Sequence, residues 1–200
     1  MPRRISPAHL LVVGATGALL PAVHAVTDRG DRVTALARTA TTLADLERRT
    51  DGRARPFPRD VGAPGLEAAL ASAARDVPFT GALLYCPFAG PPAVRTLVRA
   101  VPPGRPVVLV LTSAHAAPVG RESATGPWHP AELPPEARPA PDCRLLVLGW
   151  HEEGDGAGTG ARWHTPEEIS TAALDLWDAG RARDAVLGTL RPWGARPGSG

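Results

Sequence analysis

The segment from His9 to Leu19 constrains this chain more than any other. A short, largely apolar run, His9 to Val13, stops at Gly14, and a helical stripe follows almost at once, with Leu19, Leu20, Val23 and Val26 on one side of Ala18 to Arg29. A run without polar alternation reads as a strand buried on both faces. A strand that enters a helix through so short a turn is the first half of a βαβ unit. Gly30-Asp31 closes the helix, and Arg32 to Ala37 supplies the second strand.

The alternation then repeats. Thr42 is the expected N-cap of a helix over Leu43 to Arg49, with Asp45 three residues on. A third strand over Arg53 to Phe57 leads to Asp60, Leu66 to Arg75 is helical, and Ala82 to Cys86 is a buried fourth strand. Val94, Leu97, Val98 and Val101 recur at helical spacing, and Val107 to Thr112 is the fifth strand. Leu145 to Leu148 and Ala185 to Leu190 bring the number to about seven. The pattern predicts a three-layer α/β domain of the Rossmann-like kind: a doubly wound parallel sheet joined by right-handed crossovers. Two segments interrupt it. Ala114 to Asp142 is a Pro-rich loop with seven prolines, and Trp150 to His164 is a Gly-rich loop. Thr165-Pro166-Glu167-Glu168 is a capping box that opens a helix with Ile169, Ala172, Ala173 and Leu176 inward. The tail from Arg191 reads as frayed. No repeat or linker divides the 200 residues, so a single domain is expected.

Composition narrows the chemistry. The chain is 44% hydrophobic, enough for a core, yet no apolar run approaches a membrane span and no leader pattern opens it, so a cytoplasmic protein is expected. Two cysteines, Cys86 and Cys143, form neither a disulfide framework nor a zinc spacing, and no metal is expected. A net charge of +2 without Arg clusters among aromatics argues against nucleic acid. All 22 basic side chains are arginine. The lack of lysine removes Schiff bases, the Walker-type phosphate lysine and Tyr-Lys proton relays.

The turn after the first strand suits a diphosphate. Glycines let the backbone approach it, and the helix start offers free amides and a positive dipole end. Gly14, Thr16, Gly17, Ala18 and Leu19 are the candidate residues. This Gly-Ala-Thr-Gly opening resembles the short-chain dehydrogenase/reductase superfamily, in particular its atypical branch, although Leu20 or Pro21 stands near the place of the third glycine. The resemblance implies a pyridine dinucleotide. Arg38, with Thr39, follows the second strand, where an arginine suits a 2′-phosphate, so NADP(H) is implied rather than NAD. Asp60 and Val61 stand where the family meets the adenine. Cys86-Pro87-Phe88-Ala89-Gly90 replaces an Asn-Ala-Gly turn against the cofactor ribose, which makes Pro87 and Phe88 candidates.

Ser113 stands in the place of the family's serine, but the Tyr-x-x-x-Lys helix does not exist: Tyr85 is the only tyrosine, and it reads as core. Cys86 reads as a small buried apolar residue. His115 and His151 are the candidate replacement acids, with Ser113 holding the substrate's polar atom. The leading expectation is an NADP(H)-dependent oxidoreductase acting on a small imine, activated alkene or carbonyl. The alternatives are a non-catalytic dinucleotide sensor or subunit, and a non-redox cyclase, isomerase or dehydratase with Trp128, Trp150 and Trp163 about its pocket. A small-molecule substrate is the expected partner, and assembly as a homodimer stays open.

Overall fold

The computed structural model describes residues 7–117, 127–133, 135–140, 142–153, 160–179 and 184–198. In chain order its elements are β1 (His9–Val13), α1 (Leu20–Asp28), β2 (Arg32–Ala37), α2 (Ala40–Arg49), β3 (Ala54–Pro58), α3 (Leu66–Ala73), β4 (Gly81–Tyr85), α4 (Pro91–Arg99), β5 (Val107–Leu111), β6 (Cys143–Leu148), β7 (Trp150–Glu153), β8 (Gly160–Trp163), α5 (Pro166–Asp178) and β9 (Ala185–Leu187). Seven strands form one sheet in the order β3-β2-β1-β4-β5-β6-β9, and every pairing in it is parallel. The strand order reverses between β1 and β4, and the crevice above that point is where open α/β sheets bind ligands. The expected doubly wound sheet is thus present.

Alternate strand residues serve two cores. Leu10, Val12, Leu83, Val108 and Leu146 face α1, α2 and α5; Leu11, Val13, Leu84, Leu109 and Val147 face α3, α4 and the long loops. The connection β6-α5-β9 steps across the sheet in the same direction as β4-α4-β5, yet α5 lies on the opposite face from α4. The two connections are therefore of opposite hand, and the expectation of uniformly right-handed crossovers fails at the last one. The rule rests on a strand feeding directly into its helix. Here an antiparallel β7-β8 hairpin intervenes between β6 and α5 and redirects the chain.

That hairpin also corrects the reading of Trp150 to His164 as a plain loop. Its strands are four residues each, too short to stand out from a Gly-rich sequence. Two boundaries shift as well. Leu19 is the N-cap of α1, and Ala18 belongs to the turn before it. Thr39, in extended conformation, is the N-cap of α2 in place of Thr42, and Asp45 pairs with Arg48 within the helix. The capping box at Thr165 forms as expected: its hydroxyl accepts from the Glu168 amide at 3.3 Å, and Glu168 accepts from the Thr165 amide at 2.9 Å.

No α-helix covers β5, β6 and β9 on the α4 side among the described residues. Trp128, Trp150, Leu190 and the partly buried Leu133, Ala140 and Trp193 fill that space. Trp150 is fully buried, with Trp163 and Trp193 edge-on at 6.5 and 6.2 Å. A buried indole removes about 200 Å² from water, roughly 5 kcal/mol of gross stabilisation. Part of that is offset, since its N–H finds no acceptor among the described residues.

Two buried polar side chains tie elements together. On β6, the buried Arg144 donates through Nη1 to the carbonyls of Leu176 and Trp177 at 2.6 and 2.8 Å. It thereby closes the C-terminal end of α5, whose last carbonyls have no partners within the helix and carry the negative end of its dipole. On β1, His9 donates from Nδ1 to the Val77 carbonyl at 2.7 Å and accepts from the Thr34 hydroxyl at Nε2, 2.9 Å away. Burial lowers its pKa, with Arg55 and Arg32 adding to the shift and the Val77 bond opposing it. The neutral ring is the native form, so its stabilisation is complete above the unfolded value of about 6.5 and is lost as pH falls below it. Between pH 7 and 5, the stability of the wild type should therefore fall more steeply than that of His9→Gln. Urea titrations at each pH measure the difference.

Candidate functional site

The site is built where β1, β2 and β4 end side by side. Gly14 follows β1 with φ +84°, a left-handed conformation that costs other residues about 1–2 kcal/mol. Its amide donates to the Leu36 carbonyl of β2 at 3.2 Å. A Cβ on Gly14 would lie 2.8 Å from the Tyr85 carbonyl and 3.3 Å from its Cβ. Only glycine lets these backbones meet. The Gly14 carbonyl then accepts from the amides of Gly17 and Leu19 at 3.1 and 3.4 Å, which closes the turn.

The turn has the donors and the space for a diphosphate. The amides of Ala15, Thr16 and Ala18 find no acceptor among the described residues, and no side chain caps α1. Gly17 is exposed, and a Cβ there would meet nothing nearer than the Gly14 carbonyl at 3.9 Å, so the crevice beside it is open. From behind, the Ser170 hydroxyl of α5 donates to the Ala18 carbonyl at 3.0 Å and steadies the loop. Leu19, by contrast, is fully buried in the core and bonds through its amide to Gly14. It supports the turn from inside and does not face a ligand. Leu20, near the third-glycine position, packs against the same core.

The neighbouring strand ends add polar groups. Arg38 and Thr39 are exposed just past β2; Arg38 makes no ion pair among the described residues, and the Thr39 hydroxyl makes no capping bond. Asp60, past β3, is exposed and folds its carboxylate onto the Gly62 amide at 2.7 Å, while Val61 packs against the core. Past β4, Pro87 is exposed, and Phe88 is 98% exposed, the most exposed large apolar side chain described.

Two cavities flank the end of β5, and they separate the residues singled out above. One, about 300 Å³, is lined by Tyr85, Ser113, Leu148, Trp163, His164 and Ile169 among others. The other, about 100 Å³, lies toward α4 and is lined by Cys86, Arg95, His115 and Ala137 among others. A 3-10 turn over Ser113–Ala116 sends Ser113 to the first and His115 to the second. His115 is exposed, with Nδ1 3.3 Å from the Thr112 carbonyl. His151 is exposed on β7 and stands edge-on to His164, ring centres 6.4 Å apart, outside the larger cavity's lining. The expected grouping of Ser113 with His115 and His151 thus does not form. Burial pushes the Cys86 thiol up to about 11, so it stays a thiol at neutral pH.

His164 and Tyr85 are the residues that sequence reasoning passed over. The His164 side chain is 3% exposed. Its Nε2 lies 3.0 Å from the Leu187 carbonyl and its Nδ1 3.3 Å from Glu168 Oε2. Gly188, with φ +78°, makes room for it, since a Cβ there would fall 2.4 Å from Nε2. Arg162 grips Glu168 with two bonds of 2.8 Å and, with the Thr165 amide and His164, holds that carboxyl well below the usual carboxylate range. The spacing Arg162-x-His164-x-x-x-Glu168 was available as a signal, but the capping box already explained Glu168. Among the described residues no three His, Cys, Asp or Glu side chains gather as metal ligands, and no helix is long and apolar enough to cross a membrane.

The fold and crevice define a Rossmann-like protein with its open turn at the switch point. No protein-family model and no curated protein matches the sequence. Solved structures do resemble it. An oxidoreductase of the short-chain dehydrogenase/reductase family from Burkholderia thailandensis is 21% identical over 92% of both chains, with a TM-score of 0.63. A 3-oxoacyl-[acyl-carrier protein] reductase with bound NAD from Brucella melitensis is 15% identical over 90% of this chain and 89% of that one, with a TM-score of 0.62. A short-chain dehydrogenase from Streptomyces avermitilis is 16% identical over 94% and 90%, with a TM-score of 0.61. At these identities the likeness establishes the fold that the chain shares with them.

The two glycines of the turn should respond differently to the same substitution. Gly14→Ala forces a Cβ onto the Tyr85 carbonyl at a positive φ and should cost about 2–4 kcal/mol in urea unfolding. Gly17→Ala should leave stability within about 0.5 kcal/mol.

Proposed function

We propose that this chain is an NADP(H)-dependent reductase of small, neutral carbonyl, imine or activated alkene substrates. The observation that carries the reading is the turn after β1, which offers acceptor-free amides beside an open crevice at the sheet's switch point. Thr16 and Ala18 would hold the diphosphate through their free amides, with Gly14 and Gly17 shaping the turn that presents them. Arg38 and Thr39, exposed at the end of β2, would hold the 2′-phosphate; Asp60 and Val61 would border the adenine, and Pro87 and Phe88 the nicotinamide ribose. Bound there, reduced NADP supplies a hydride. The larger cavity would take the substrate: its walls of Leu148, Ile169 and Trp163 suit an apolar body, and Ser113 would bond its polar atom. Among the described residues neither Arg, Asp nor Glu lines it, which favours a neutral substrate.

Similarity of fold to reductases supports the class of chemistry without naming a substrate. The reading accommodates a chain with no lysine, because an imine or activated alkene needs less acid assistance than a ketone.

Calorimetry with NADPH and NADH tests it. The wild type should bind NADPH at least about tenfold more tightly, the worth of one charge-assisted phosphate contact. Arg38→Ala should remove most of that preference and leave NADH binding within about twofold. Failure to bind either nucleotide would refute the reading.

A further inference from the structure

We propose that Tyr85 is the catalytic proton donor, acting from the end of β4 into the cavity it shares with Ser113. The inference rests on the reductase reading above and goes beyond it by assigning the acid. Tyr85 is the last residue of β4, and its ring lies against the nucleotide turn: a Cβ on Gly14 would sit 3.3 Å from Tyr85 Cβ and 3.5 Å from its Cδ1. Tyr85 also lines the 300 Å³ cavity, so the residue borders both that turn and the cavity. Tyr85 pairs with Val110 of β5, three residues before Ser113, so two hydroxyl-bearing residues, one at the end of β4 and one in the turn after β5, border one space. A carbonyl oxygen has two lone pairs and can accept from both.

The competing acids are otherwise placed. Both nitrogens of His164 face acceptors, the Leu187 carbonyl and the Glu168 carboxylate, which leaves neither free to hand a proton to a ligand. His115 borders the other cavity, and His151 lies outside the lining of this one. Burial raises the Tyr85 pKa, so the phenol keeps its proton at neutral pH. In the step, the substrate carbon takes a hydride from the reduced pyridine nucleotide, which is oxidised. The C=O π electrons move to oxygen, oxygen takes the proton from Tyr85 Oη, and water returns a proton to the phenolate.

The single tyrosine makes this testable without turnover, because phenolate absorbance reports Tyr85 alone. Saturating NADP+ should lower its titration midpoint by about half a pH unit or more, since the pyridinium brings a positive charge to the phenol. NADPH, with a neutral ring, should leave it in place. Tyr85→Phe should bind NADPH as the wild type does, yet reduce cyclohexanone, phenanthrenequinone and pyrroline about 100-fold or more slowly. A midpoint indifferent to NADP+, or a Tyr85→Phe enzyme with wild-type turnover, would overturn the proposal alone. A wild type that binds no NADPH would overturn the reading beneath it.

Discussion

Gly14 is where three strands come into backbone contact, and the rest of the architecture depends on that approach. Its amide is bonded to β2, its α-carbon is pressed against the Tyr85 carbonyl of β4, and its own carbonyl closes the turn into α1. The same absence of a side chain sets the spacing of the sheet at its switch point and leaves amides facing an open crevice. Stability and ligand access thus share one atom's worth of missing volume. They separate again at Gly17, where the backbone needs no special conformation and the space beside it serves the crevice.

The far side of the sheet obeys a different logic. Where α3 and α4 cover β1 and β4 with aliphatic side chains, β5, β6 and β9 are covered largely by indoles from β7 and from irregular chain. A large rigid ring covers as much strand as a turn of helix and loses little conformational freedom on burial. Its N–H is harder to accommodate, as the Trp150 nitrogen illustrates. Tertiary bonds hold the loop to the sheet: Arg138 donates to the Cys143 carbonyl at 2.6 Å and pairs with Asp184, whose other oxygen accepts from the Leu145 amide at 2.9 Å.

These two regions explain how much could be read from the chain beforehand. Residues 9–111 follow the periodicities of strand and helix closely, because each element there is decided by its own apolar pattern. β1 and β2 were placed to the residue, β3 and β4 within one residue, and the helix ends moved, as at Thr39. The glycine turn after β1 was legible for the same reason, since Gly14 and Gly17 act through local backbone geometry. The cavity was not. Ser113 and His115 are two residues apart, and a single turn of 3-10 helix sends them to opposite cavities. His164 gains one partner from Glu168 on α5, four residues on, and the other from Leu187 on β9, 23 residues away, which only the folded sheet brings near. Tyr85 looked like core because its strand is core; its position as the strand's last residue opens it to the cavity.

Arg144 shows what this arrangement demands of assembly. A cation buried in the central layer has its acceptors 32 and 33 residues away, on the last turn of α5. Until that turn forms and docks, β6 would have to carry an unsatisfied charge into the interior, at a penalty of several kcal/mol. The outer strands, the hairpin and the final helix therefore gain their order together. The half of the molecule that bears the larger cavity behaves as one cooperative block, whose integrity is decided at the edge opposite its opening.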